Sequence, residues 1–116
     1  MIAVIFEVLP YMGERHKYLD LAGELRAELE TVDGFISIER FESLATRGKL
    51  LSLSFWRDED AVREWRNLEV HRAAQAAGRN GIFADYRLRI GHIVRDYGMN
   101  ERAEAPADSR RMHDAV

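Results

Sequence analysis

The densest group of side chains able to do chemistry lies in one short stretch: Trp65, Asn67, His71, Arg72 and Gln75. At about 100° per residue of helix, Trp65, Leu68, Arg72 and Gln75 share a face, and His71 stands on its flank about 60° from Leu68. Imidazole is the one side chain whose unperturbed pKa lies near neutral pH, so His71 is a candidate general base; it reads equally well as a half-exposed surface histidine. Arg72, toward the centre of an otherwise apolar face, needs a carboxylate or a substrate anion as partner, or an arm long enough to reach solvent. Trp65 is either an aromatic wall of a pocket or a plain core anchor.

The remaining candidates are weaker. His16 falls in the first connection and His113 near the end, where solvated histidines are ordinary, while His92 sits among apolar strand residues. No two histidines stand at His-x-His or His-x-x-x-His spacing and there is no Glu-x-x-His, so a metal site is not expected. The absence of cysteine removes thiolate metal sites, disulfides and a cysteine nucleophile. Gly78 to Gly81 follows a helix rather than opening one, which argues against a phosphate-cradling loop. Arg87, Arg89 and Arg95 fall on one face of a strand, where they offer partners to Glu64, Glu69 or a second subunit.

Six elements must position these groups. Residues 2–9 are β-branched and aromatic and end at Pro10, a first strand with Ile2, Val4, Phe6 and Val8 on one side and Ala3, Ile5 and Leu9 on the other. From about Arg15 to Thr31, Tyr18, Leu21, Leu25 and Leu29 form a helical stripe that Asp33-Gly34 stops. Phe35 to Glu42 resumes a period of two, with Ile36 and Ile38 predicted on one side and Phe35 and Phe41 on the other. The polar stretch Ser43 to Lys49 then turns the chain into a third strand, Leu50 to Trp56. Asp58 is a good N-cap for a second helix reaching about Ala77, since Glu59 and Asp60 place negative charge in its first turn. Asp85 to Tyr97 alternates as a fourth strand, with Tyr86, Leu88, Ile90, His92 and Val94 on one face.

Strand, helix, strand, strand, helix, strand predicts an α+β, ferredoxin-like βαββαβ plait: a four-stranded antiparallel sheet with two helices on one face. Residues 1–98 would form this domain and 99–116 a polar, loosely held tail. The first strand is apolar on both sides, so the uncovered sheet face predicts a homodimer. With 116 residues, 17 basic and 20 acidic side chains and no block of one sign, the chain fits a single domain and not a nucleic-acid binder. Nothing approaches the ~20 apolar residues of a membrane span, and the N-terminus has no basic leader, so a cytoplasmic location is the expectation.

Phe55-Trp56-Arg57 closing the third strand, Trp65 with His71 six residues on, and Asp85-Tyr86-Arg87 opening the fourth resemble the antibiotic biosynthesis monooxygenase family over about residues 1–98. The resemblance implies a dimeric α+β barrel with a pocket between sheet and helices. It also implies a cofactor-independent monooxygenase, acting with dioxygen on a small phenol- or quinol-like aromatic. On that reading His71 and Trp65 are the catalytic pair, and Arg72, Gln75, Tyr86 and Arg87 contact substrate. The haem-degrading branch fits less well: its axial histidine position is Gln75 here, and the first strand has no asparagine. A non-catalytic small-molecule-binding or stress-response protein of the same fold is the rival reading.

Overall fold

The computed structural model describes residues 1–77 and 81–113, with side chains left out for 69–77. The elements run β1 (Ile2–Pro10), α1 (Arg15–Leu29), β2 (Phe35–Glu42), β3 (Leu50–Trp56), α2 (Glu59–Ala77), β4 (Phe83–His92) and α3 (Ala107–His113). The four strands form one sheet in the order β2-β3-β1-β4, every neighbouring pair antiparallel. This is the ferredoxin-like plait that the hydrophobic spacing predicts, with one additional short helix.

Local chemistry explains where the elements stop. Gly34 takes φ +94°, a left-handed conformation that a residue with a Cβ adopts at a cost, and turns the chain from α1 into β2. Its carbonyl accepts a hydrogen bond from the Arg57 N–H at 2.7 Å, which ties the α1–β2 turn to the start of α2. At that start the Asp58 carboxylate accepts the Ala61 N–H at 2.9 Å, the N-cap expected from the sequence. That bond and the neighbouring Arg57 guanidinium hold the Asp58 carboxyl below its ordinary range. Arg57, hydrogen-bonded to Asp33 and to Asp58, is correspondingly raised.

Register assigns every strand side chain to a face. Ile2, Val4, Phe6 and Val8 of β1 lie level with Trp56, Ser54, Ser52 and Leu50 of β3, on the side toward the helices. Two expectations change here. A register shift between Phe35 and Ser37 lets Phe35 and Ile38 share the helix side, where both pack against the core, while Ile36 is exposed. In addition β4 ends at His92 rather than at Tyr97, because its partner begins at Ile2 and only one further bond, Ile93 N–H to the Met1 carbonyl, prolongs the pairing.

The core is divided. At one end Ile2, Leu29, Val32, Trp56, Ala61 and Val62 pack together, with Phe35 and Trp65 against them; at the other Val8, Tyr18 and Leu50 are joined by Phe6 and Phe83. The opposite sheet face carries Ile5, Leu51, Leu53, Phe55 and Phe41 around a charged centre, in which Glu7 meets Lys49 at 3.2 Å and Arg89 at 3.5 Å. Lys49, and after it Arg89, keeps the Glu7 carboxyl below its usual range. The chain measures 58 × 34 × 19 Å, with a radius of gyration of 17.2 Å. A compact domain near this length has about 13 Å. The segment after β4 contains α3, and within it Arg102 donates to the Ser109 hydroxyl at 2.7 Å and lies over the Tyr97 ring. No helix among the described residues is long and apolar enough to cross a membrane.

Candidate active site

Between the two halves of the core lies a cavity of about 740 Å³, in the range of small-molecule sites. The α1 stripe forms its roof: Tyr18, Leu21, Ala22, Leu25 and Leu29 all line it, as the i, i+3, i+7, i+11 spacing requires. Val4 and Phe6 of β1 and Ser52 and Ser54 of β3 form the floor, with Ile38 and Arg40 of β2 along one edge and Tyr86 and Leu88 of β4 along the other. The cavity exists because small polar serines stand in the middle of a sheet face whose ends carry Trp56 and Leu50.

Aromatic rings close both ends. Trp65 stacks on the fully buried Trp56 with ring centroids 6.3 Å apart, and Trp56 meets Phe35 edge-on at 5.3 Å. At the far end Phe6, Tyr18, Phe83 and Tyr86 interlock at centroid distances of 5.6–6.2 Å. The polar groups on the wall are few: Arg26, Arg40, Asp85, the two serines and two tyrosine hydroxyls. Arg26 is paired with Glu30 at 3.2 Å, and the Ser54 hydroxyl accepts the Trp56 indole N–H at 2.9 Å. Among the described residues no group of three or more His, Cys, Asp or Glu is placed to hold a metal ion.

Of the residues singled out from the sequence, Trp65 and Tyr86 line the cavity. Trp65 does so while belonging to the core, which joins its two alternative readings. Arg87 does not line it: strand alternation turns it away from Tyr86 and Leu88 to the open sheet face, level with Glu7. His71, Arg72 and Gln75 belong to α2, but their side chains lie outside the described residues. Arg40, Ser52 and Ser54 were missed, although the signal was present: each alternates with a residue of the opposite face, Arg40 two places after Ile38 and the serines between Leu51, Leu53 and Phe55.

A four-stranded plait with an aromatic-ended cavity under its helices defines a small ferredoxin-like α+β domain. The sequence model for "Antibiotic biosynthesis monooxygenase" matches residues 1–77, and the chain belongs to that family. It is 44% identical over 116 residues to "Jasmonate monooxygenase ABM" of Pyricularia oryzae, covering all of this chain and 54% of that protein. It is 31% identical over 62 residues to "Uncharacterized protein YqjZ" of Bacillus subtilis, 53% of each chain. The chain thus spans about half the length of the curated relatives it matches. Among solved structures, Rv0793 from Mycobacterium tuberculosis superposes with a TM-score of 0.70 at 19% identity, covering 84% of this chain and 98% of that one. SnoaB, a cofactor-independent oxygenase from Streptomyces nogalater, gives 0.66 at 12% identity, covering 82% and 94%. These two likenesses establish the fold.

Proposed function

We propose that this chain is a cofactor-independent monooxygenase that takes a small, largely apolar substrate of phenol or quinol type into the cavity and oxidises it with dioxygen. The observation that carries this reading is the cavity wall, which offers aromatic rings at both ends and few polar groups between them. An aromatic substrate gains stacking at either end, and in a water-poor site an anion is poorly solvated and so a stronger electron donor. His71 is assigned the proton abstraction and Trp65 the adjoining wall. Loss of that proton leaves an anion that donates electrons to dioxygen. One oxygen atom then becomes the product carbonyl and the other leaves as water with the two hydrogens the substrate gives up, one from the ring carbon and one from its hydroxyl, so no external reductant is consumed.

A second reading has its own support. The 44% identity with a protein named for jasmonate makes jasmonate a substrate to test beside the aromatics. The proposed assembly is a homodimer through the open sheet face. It is supported by β3, whose more apolar side, Leu51, Leu53 and Phe55, is the one no helix covers. A cytoplasmic setting is proposed with it, in keeping with a chain that contains no cysteine. The test is oxygen uptake by the purified protein, without added cofactor, on an anthrone, a quinol and jasmonate. Stoichiometric uptake with at least one supports the reading. Saturable binding with no uptake above the uncatalysed rate would leave a ligand-binding protein instead.

A further inference from the structure

Among the described residues Arg40 meets no counter-charge. Its Nε is shut off from solvent and has no hydrogen-bond partner, and among the described residues no carboxylate pairs with the guanidinium. The acids nearest in sequence are accounted for. Glu39 faces the other side of the sheet, level with Leu53, and Glu42 binds Arg15 at 2.9 Å. Asp85 lines the same cavity from β4, but the strand order puts β3 and β1 between them, roughly 14 Å at the usual strand spacing. A guanidinium N–H left unmet beside an apolar cavity is costly unless something arrives to meet it.

The surroundings select what arrives. Register sets Ser52 directly across from Arg40, and Ser54 across from Ile38, so two hydroxyls share the cavity floor with Arg40 on its neighbouring strand. Ser54 already accepts the Trp56 N–H, so its own proton is available to donate. Arg26, the other described cation on the wall, is paired with Glu30 on the exposed side of α1. A planar fork that no described carboxylate meets, with two hydroxyls on the same cavity floor, suits a singly charged, two-oxygen anion.

We propose that Arg40, Ser52 and Ser54 form a carboxylate subsite, and that the substrate is an apolar organic acid whose carboxylate sits at the β2–β3 edge while its hydrocarbon body fills the cavity. This deepens the proposed function and rests on the cavity being the substrate site. Its test needs no turnover: calorimetric titration at pH 7.5 with 1-naphthaleneacetate, its methyl ester, and 1-naphthol, which is largely un-ionised at that pH. The native protein should prefer the acid over the ester by on the order of tenfold to a hundredfold, the range of charge-assisted hydrogen bonds. Arg40→Met should abolish that preference by weakening the acid alone, and Arg40→Lys should retain part of it. Equal binding of acid and ester, or no saturable binding of the acid, overturns the subsite. So does an equal loss of 1-naphthol binding in Arg40→Met, which would place Arg40 at a reacting hydroxyl. A protein that prefers the acid yet consumes no oxygen keeps the subsite and loses the oxygenase reading; one that oxygenates neutral substrates with no acid preference does the reverse.

Discussion

Replacing Trp65 separates its packing role from its place on the cavity wall. Its ring stacks on Trp56 at 6.3 Å and 27°, a geometry worth about 1 kcal/mol beyond area burial. Full burial of a large aromatic gives losses of ~3–5 kcal/mol on truncation to Ala, but Trp65 is only half-buried because one side faces the cavity. Trp65→Ala should therefore destabilise by roughly 2–3 kcal/mol, below most of that range. At roughly 4 °C per kcal/mol for a domain of this size, the melting temperature falls by about 10 °C. Trp65→Phe keeps a ring against Trp56 and should lose about 1 kcal/mol. Thermal melts followed by far-ultraviolet circular dichroism give both values, and the near-ultraviolet signal of the stacked indoles should vanish in either variant. If Trp65→Ala melts within 2 °C of the native protein, the indole is not part of the core and the joint role fails.

Three other perturbations follow from the fold. A Cβ on Gly34 would lie 2.8 Å from the Ala61 Cβ at φ +94°, so Gly34→Ala should cost about 2–4 kcal/mol in a denaturant titration; a double-mutant cycle with Ala61→Gly should recover the steric part only. Because the Asp58 carboxyl is held below its ordinary value in the folded state, its contribution to stability is present above pH ~3.8 and is lost as pH falls through the lower folded value. Asp58→Ala should then be less stable at neutral pH and flatter on the acid limb, and parallel acid limbs would contradict the cap. Leu53→Asp, on the uncovered sheet face, should shift sedimentation at micromolar concentration from dimer to monomer with the helical signal kept; a native monomer would refute the dimer itself.

Much of the fold was legible because hydrophobic period and turn chemistry agree. The Tyr18-Leu21-Leu25-Leu29 stripe is the cavity roof, and Asp58 caps the helix it was expected to cap. The bulge at Ile36 was not legible, because a one-residue shift leaves the residue types unchanged and alters only which face they occupy. Tyr97 alternates as a strand residue should, but where β4 stops depends on where β1 starts, a tertiary fact. The short α3 lies in a polar segment with no apolar stripe, so periodicity gives no signal for it. For the site, attention to helical side chains found Trp65, whereas Arg40 and the two serines passed as ordinary strand polarity. Arg87 faces the other side of the sheet from Tyr86, as strand alternation requires.

The central claim is that oxygen chemistry occurs in the cavity beneath α1. The direct measurement is incorporation of oxygen-18 from labelled dioxygen into product, by mass spectrometry, for the native protein and for two variants. Leu25→Trp fills the cavity from its roof, and His71→Ala removes the proposed base. One labelled atom per product should appear with native protein, with turnover lost in Leu25→Trp and reduced about a hundredfold or more in His71→Ala, both variants still folded. Label incorporated at the native rate by folded Leu25→Trp would contradict the claim.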